Sequence, residues 1–70
     1  MSKFNSFMLN GQTYITDSKF TLLELIEYFN YNSSLLVLEY NSLICKKKNW
    51  NKITIQNNDK IEIVTIVGGG

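Results

Sequence analysis

The stretch that decides the fold is Asp59-Lys60-Ile61-Glu62-Ile63-Val64-Thr65-Ile66-Val67-Gly68-Gly69-Gly70. Its Ile and Val residues form a nearly continuous run, which predicts a strand at the centre of a sheet rather than at an edge. Three glycines follow without a polar linker. Because glycine has no Cβ, this thread can enter a slot too narrow for other residues, and it would carry the terminal carboxylate about 10 Å from the domain surface. The tail suits presentation of the chain end to another protein's active site, although a frayed or engineered end would look the same.

Size and composition limit the classes of protein to which the chain can belong. Seventy residues make one small domain. A net charge of +1 argues against nucleic acid as the main partner, and no apolar run is long enough to span a bilayer. Cys45 is the only cysteine, so no internal disulfide is possible, which fits a reducing compartment. We expect an intracellular protein of the cytoplasm or a plastid stroma, because its many Asn, Lys and Ile residues suggest the A/T-rich codons of an organellar genome.

A hairpin is predicted near the N-terminus. Residues 4–9 read as a strand with apolar residues on both faces. Asn10-Gly11 is the preferred pair for a two-residue type I′ turn, and Gln12 to Thr16 would be the returning strand.

The clearest local signal is the start of a helix. Thr21 is a good N-cap, and Glu24 three residues later completes a capping box. Phe20 and Leu25 have the placement of a hydrophobic staple. The helix should run for about nine residues and end near Asn30, where turn-forming residues begin. Four apolar residues recur at helical spacing and predict one core-facing stripe, namely Leu22, Leu25, Ile26 and Phe29.

The middle of the chain predicts a further strand, followed by a short return segment and a loop. Residues 35–40 are an apolar run of strand length, whose continuity suggests burial on both faces. Asn41-Ser42 turns the chain into a short strand segment. Residues 45–49 predict an exposed loop, with Trp50 as an anchor to the core. Residues 53–55 fit either a short strand or a loose turn.

This element order predicts an α+β domain, in which a mixed sheet of four to five strands is covered by one main helix. The pattern alone does not fix the strand order. We expect the domain to occupy residues 1–67 and the flexible C-terminal glycine tail to occupy residues 68–70.

The last strand also offers a candidate docking surface. Side chains alternate between the two faces of a strand, so Val64 and Ile66 share a face with Glu62, opposite the helix. An exposed apolar patch at Val64 and Ile66 would suit a protein partner. Scattered surface apolar residues, however, need no such explanation.

The remaining polar residues predict no catalytic centre. Lys46, Lys47 and Lys48 fit a solvated loop better than a steering patch for an acidic partner. Cys45 should be a passive thiol, because no His, Arg or second Cys is present to lower its pKa. The carboxylates show no acid/base pairing. We therefore predict no catalytic residue and no metal site.

The element order in so short a chain, ending in Gly-Gly, resembles the ubiquitin-like β-grasp fold, and more narrowly the ThiS family of sulfur carrier proteins of thiamine biosynthesis. The family commonly has Pro-Arg where this chain has Cys45-Lys46, which keeps the positive charge but loses bidentate guanidinium chemistry. The segments that carry the resemblance are Leu9-Asn10-Gly11, Thr21-Leu22-Leu23-Glu24-Leu25, Leu38-Glu39-Tyr40-Asn41, Trp50 and the run from Asp59 to Gly70.

The resemblance implies a carried substrate rather than an enzyme. An adenylating, E1-like enzyme would use ATP to convert the Gly70 carboxylate into an acyl adenylate. Sulfur from a cysteine desulfurase or another donor would replace the adenylate, and the resulting thiocarboxylate would supply sulfur to thiazole synthase. Gly68 and Gly69 would enter the partner's active site as spacers. The chain itself would bind no cofactor, and neither nucleic acid nor a membrane is among the implied partners.

Two alternatives stay open. The first is a related β-grasp carrier that supplies sulfur for molybdopterin synthesis or tRNA thiolation. The second is a ubiquitin-like modifier that is conjugated to lysines and acts through its surface. A modifier is usually made with residues beyond Gly-Gly that must be removed, so the flush Gly70 end favours a carrier.

Overall fold

A computed structural model describes residues 4–66, so residues 1–3 and 67–70, including the glycine tail, lie outside the described part. The strands are β1 (Asn5–Leu9), β2 (Gln12–Thr16), β3 (Leu36–Tyr40), β4 (Leu43–Cys45) and β5 (Lys60–Thr65), and the helix is α1 (Leu22–Tyr28). Two short 3-10 helices cover Ser33–Leu35 and Lys47–Asn49. The strand order is β2-β1-β5-β3-β4, in which β1 and β5 are parallel and the other neighbours are antiparallel. The predicted mixed sheet with one helix and a central last strand is confirmed.

Asparagine residues form the tight turns of the sheet. Asn10 and Gly11 have φ values of 51° and 81°, the two positive values that define a type I′ turn. Asn41 and Ser42 repeat the arrangement between β3 and β4, with φ values of 51° and 74°. Asn tolerates this left-handed region better than most residues. The hairpin predicted from Asn10-Gly11 is confirmed, and the second turn closes a hairpin of the same type.

The helix begins as the sequence predicts. The Thr21 side chain accepts a hydrogen bond from the Glu24 backbone N–H at 3.1 Å, and the Thr21 N–H donates to Glu24 Oε1 at 2.8 Å. The next two free N–H groups, of Leu22 and Leu23, donate to the carbonyl groups of Ile53 and Trp50. The returning chain therefore completes the capping of α1.

The helix ends close to the predicted position, Asn30. It has seven residues rather than about nine, with Phe29 as its C-cap, and Asn30 adopts φ 58° directly after the cap. The Asn30 N–H donates to the Glu27 carbonyl group and the Tyr31 N–H donates to that of Ile26. These two bonds form a Schellman motif with Asn in the position where Gly is commonest.

One hydrophobic core fills the space between α1 and the sheet. The Trp50 side chain is 2 % exposed, and its indole Nε1 donates to the Cys45 carbonyl group at 2.9 Å, so the predicted anchor is confirmed. Phe29 is only partly buried against the cluster. The buried apolar residues are Phe7, Leu9, Leu22, Leu25, Ile26, Leu36, Leu38, Trp50, Ile55, Ile61 and Ile63.

The structure corrects two expectations for the middle of the chain and, at residues 53–55, decides between two alternatives. Residues 35–40 are fully buried on one face only, because Leu36 and Leu38 face the core while Val37 and Glu39 are half-buried. The expected loop at residues 45–49 begins with a strand residue and continues as a 3-10 helix, since Cys45 pairs with Leu38. Residues 53–55 contribute a single bridge between Thr54 and Thr21 and form no named strand.

Candidate functional site

A buried carboxylate, that of Asp59, holds the turn that precedes β5. Asp59 is 8 % exposed and accepts hydrogen bonds from the Tyr40 hydroxyl group, the Asn41 side-chain amide and the Gln56 backbone N–H. The Asn41 side chain in turn accepts a bond from the Lys60 N–H at 2.8 Å. Buried carboxylates need such partners to offset the loss of solvation. The network therefore locks the turn from which β5 starts.

Tyr40 titrates abnormally because of its place in this network. Burial, reinforced by the hydrogen bond to Asp59 and by the negative charge of that carboxylate, raises the pKa of Tyr40 to about 12. Each of these effects disfavours the phenolate form. The hydroxyl group therefore remains a hydrogen-bond donor throughout the physiological pH range.

Backbone and side-chain hydrogen bonds hold β5 on both sides. β3 pairs with β5 from Leu36 opposite Thr65 to Tyr40 opposite Ile61. On the other side, β1 pairs with β5 at only two positions. Beyond them, the Asn10 side chain accepts a hydrogen bond from the Ile63 N–H at 2.7 Å, which extends the contact between the end of β1 and β5. The Ile66 N–H donates to the Leu35 carbonyl group at 2.7 Å. Anchoring thus reaches Ile66, the last described residue.

The sheet face away from α1, hereafter the open face, carries apolar side chains. Val64 is 57 % exposed and Ile66 is 51 % exposed, as the alternation along the last strand predicts. Met8 on β1 and Ile44 on β4 add exposed apolar surface, and Val37 lies opposite Val64 on β3. These five residues come from four neighbouring strands. Together they form a surface of the kind that proteins use for association.

Two carboxylates lie within the open face. Glu39 and Glu62 are directly opposite each other in the β3–β5 pair, and both are half-buried. Directly opposed residues have Cβ atoms about 5 Å apart, and like charges in such a pair are destabilising. The Oε2 atom of Glu62 is shielded from solvent and has no hydrogen-bond partner among the described residues.

The structure separates the sequence-predicted site residues into two groups. Val64 and Ile66 lie together and are exposed, whereas their role in docking stays a prediction. Gly68, Gly69 and Gly70 lie outside the described residues, so their roles stay predictions as well.

The loop at residues 45–49 contains the departure from the family pattern. Lys46 is exposed and precedes the 3-10 helix that contains Lys47 and Lys48, which are also exposed. Cys45 is half-buried, and burial raises the pKa of its thiol. A raised pKa favours the unreactive protonated form, in keeping with the passive thiol expected from the sequence.

The described residues contain neither a candidate metal site nor a candidate membrane-spanning helix. Within residues 4–66, no group of three or more His, Cys, Asp or Glu side chains is placed to hold a metal ion. Over the same residues, no helix has the length and apolar character needed to cross a bilayer.

Two features of the site escaped sequence reasoning. The link from Asp59 to Tyr40 and the opposition of Glu39 to Glu62 both depend on β3 lying beside β5, and the strand order was not predictable. A signal was nevertheless present, because each glutamate is the only acidic residue of its strand and has an apolar residue directly before it. An ionisable residue in that setting marks either an edge or a contact surface.

Comparisons with known proteins agree on the family. The model of the ThiS family matches residues 7–70. An uncharacterized protein ycf40 of Trieres chinensis is 63% identical over 70 residues, covering 100% of this chain and 96% of that protein. An uncharacterized protein ycf40 of Porphyra purpurea is 33% identical over 70 residues, covering 100% and 99%.

A solved structure shares the fold. The crystal structure of the thiamine biosynthesis protein ThiS from Geobacter metallireducens superposes with a TM-score of 0.79 at 19% identity, covering 93% of this chain and 99% of that one. The similarity supports the ubiquitin-like β-grasp fold expected from the sequence. Since the family model spans all but the first six residues of the chain, this β-grasp protein is a member of the ThiS family.

Proposed function

We propose that this chain is a sulfur carrier whose C-terminal glycine, Gly70, is converted to a thiocarboxylate that supplies sulfur for the thiazole ring of thiamine. The observation that carries the proposal is the ThiS family match, which extends through the glycine tail to Gly70. The fold agrees with it, because the strand that leads to the tail is central and hydrogen-bonded on both sides. Such a strand gives the tail a fixed point of origin.

The chemistry proposed for the tail has two steps. A Gly70 carboxylate oxygen attacks the α-phosphorus of ATP, and pyrophosphate leaves. Sulfide then attacks the acyl carbon and forms a C–S bond, while the C–O bond breaks and AMP leaves with its oxygen. Where the donor carries a persulfide, two thiols first reduce its outer sulfur to sulfide and become a disulfide. The net result is exchange of one oxygen for sulfur. Adenylation is needed because the oxygen of a free carboxylate is a poor leaving group.

In this proposal the chain contributes position rather than catalysis. An adenylating E1-like enzyme would hold Gly68 and Gly69 in a narrow slot, which only residues without a Cβ can enter. Fixing the tail beside the nucleotide removes much of the entropic cost of their encounter. Val64 and Ile66 on the open face would bind the enzyme surface next to that slot. The carrier would bind no cofactor, and ATP would belong to the enzyme.

The proposed partners after activation are a cysteine desulfurase or other sulfur donor, and thiazole synthase as the acceptor. Carriers of one fold differ in the surfaces around the tail, and these surfaces decide which partners are accepted. We place the protein in the cytoplasm or a plastid stroma, on the grounds of its A/T-biased residue usage and single cysteine.

A deletion strain tests the assignment to thiamine. Cells that lack the protein should require thiamine or its thiazole half for growth, and should keep normal molybdoenzyme activity and normal tRNA thiolation. Expression of the intact chain should restore growth, whereas a chain without Gly70 should not. A strain that grows without thiazole but loses molybdopterin synthesis would overturn the thiazole assignment and favour the related carrier.

A further inference from the structure

The open face contains two carboxylates that form no salt bridge within residues 4–66. Glu39 and Glu62 are opposed across β3 and β5, and Oε2 of Glu62 is already shielded from water without a hydrogen-bond donor. Lys60 occupies the next position along β5 on the same face but is exposed. The carboxylate pair is therefore an unfavourable element of the isolated domain.

Apolar side chains flank this pair toward the tail and toward β4, whereas Lys60 and Asn41 lie beyond its other end. Val37 and Val64 form the next opposed pair along the two strands, and Ile44 is the β4 neighbour of Glu39. A partner that covered these apolar groups would also remove the two carboxylates from water. The free-energy cost of removing two unpaired carboxylates from water is larger than the free energy gained by burying a few apolar side chains. A purely apolar partner surface is therefore excluded.

We propose that the open face binds a protein surface that places a cationic side chain, best an arginine, between Glu39 and Glu62 within an apolar contact. A guanidinium group offers five donors in a planar fork and can contact two carboxylates at once. It would supply the missing donor to Glu62 Oε2 and cancel the repulsion across the strands. The flanking apolar side chains would then help to exclude water from this ion pair once the partner covers them.

The occupant named here is the adenylating enzyme, so this inference rests on the proposed function. β5 carries the open face and leads directly to the tail, and Ile66 is only four positions before Gly70. An enzyme that holds Gly70 therefore lies within about 13 Å of Ile66, close enough to contact the end of this face. A second copy of the chain is a poor occupant, because a face-to-face dimer would bring two more carboxylates to the first pair.

Isosteric substitution tests the inference. Glu62→Gln and Glu39→Gln keep the shape of each side chain and remove its negative charge. Binding to the adenylating enzyme, measured by titration calorimetry without ATP, should weaken about ten-fold or more for each variant. The loss should shrink at high salt, and the Tm of each free variant should stay equal to or rise above that of the wild type. Glu27→Gln on the exposed side of α1 is the matched control and should bind normally.

The outcomes separate the two proposals. If the wild type gains sulfur at Gly70 but Glu62→Gln and Glu39→Gln bind as tightly as the control, the cation is absent and this inference fails while the carrier function stands. If the wild type neither binds an adenylating enzyme nor gains sulfur, the proposed function fails and this occupant fails with it. Loss of binding in Glu27→Gln as well would mean a general charge effect and would also overturn the inference.

Discussion

Ile63 and Val64 are neighbours on β5, yet the first is 6 % exposed and the second is 57 % exposed. Ile63 belongs to the core beneath α1, and Val64 belongs to the open face. The same strand therefore supplies stability from one side and binding surface from the other. Because side chains alternate strictly along a strand, substitutions on the two faces should have separable effects on folding and on association.

The largest expected effect is a loss of stability, caused by substitutions on the face of β5 that α1 covers. Ile61 is 0 % exposed at the centre of the sheet, so Ile61→Ala should lower the free energy of unfolding by about 2 to 5 kcal/mol. The total free energy of unfolding of a domain of this size is only about 3 to 5 kcal/mol, so Ile61→Ala could unfold it completely. Ile61→Val, with an expected loss of about 0.5 to 1.5 kcal/mol, is a milder variant that should stay folded.

The control for this experiment is Val64→Ala, for which the loss measured by urea denaturation should stay below about 1 kcal/mol. Equal losses for Ile61→Ala and Val64→Ala would show that the two faces of β5 are not distinct.

The next effect should concern binding rather than folding. Val64→Asp and Ile66→Asp, combined, should weaken binding to the activating enzyme by on the order of 2 to 4 kcal/mol, because charge replaces apolar contact. Stability should change little, since both positions are more than half exposed. Leu43→Asp is a suitable control, because Leu43 is exposed as well, at 74 %, but is paired with Tyr40 on the other face. Loss of the folded state in the double variant would mean that Val64 and Ile66 belong to the core.

A smaller, pH-dependent loss of stability should follow from a substitution at the turn that precedes β5. Tyr40→Phe removes the hydrogen bond to Asp59 and should lower the free energy of unfolding by about 1.5 to 3 kcal/mol. The pKa of Tyr40 is raised from 10.0 to about 12 in the folded protein, so its contribution is fully present below pH 10 and is lost as the pH rises through about 12.

The stability difference between the wild type and Tyr40→Phe should therefore be constant near neutral pH and decrease in the alkaline range. Denaturation curves at several pH values measure it. A difference that stays the same up to pH 12 would contradict the role given to the Tyr40 hydroxyl group.

Local chemistry made much of the fold predictable. The Asn10-Gly11 turn and the Thr21–Glu24 capping box depend on residues close in sequence, and both are present as expected. The exposure of Val64 follows from alternation alone. The end of α1 near Asn30 was predicted from turn-forming residues, but the Schellman motif was not, because it requires Asn30 to adopt a positive φ that Asn permits but does not dictate.

Long-range contacts explain what the sequence could not predict. Asp59 meets Tyr40 across 19 positions, and Glu39 meets Glu62 only because β3 and β5 are neighbours. Neither contact can be predicted from a repeating pattern of apolar residues in the sequence. The acidic pair is thus visible only after the strands are assembled, although it bears directly on what the open face can bind.

Intact-mass spectrometry of the protein after reaction with its adenylating enzyme, ATP and a sulfur donor would show whether Gly70 carries sulfur. We expect a mass gain equal to one exchange of oxygen for sulfur, located on Gly70 by fragmentation. Deletion of Gly70, or addition of one residue after it, should abolish the gain and leave the fold unchanged. No gain in the intact chain, or a gain located on Cys45 instead, would contradict the claim that this protein carries sulfur at its C-terminal glycine.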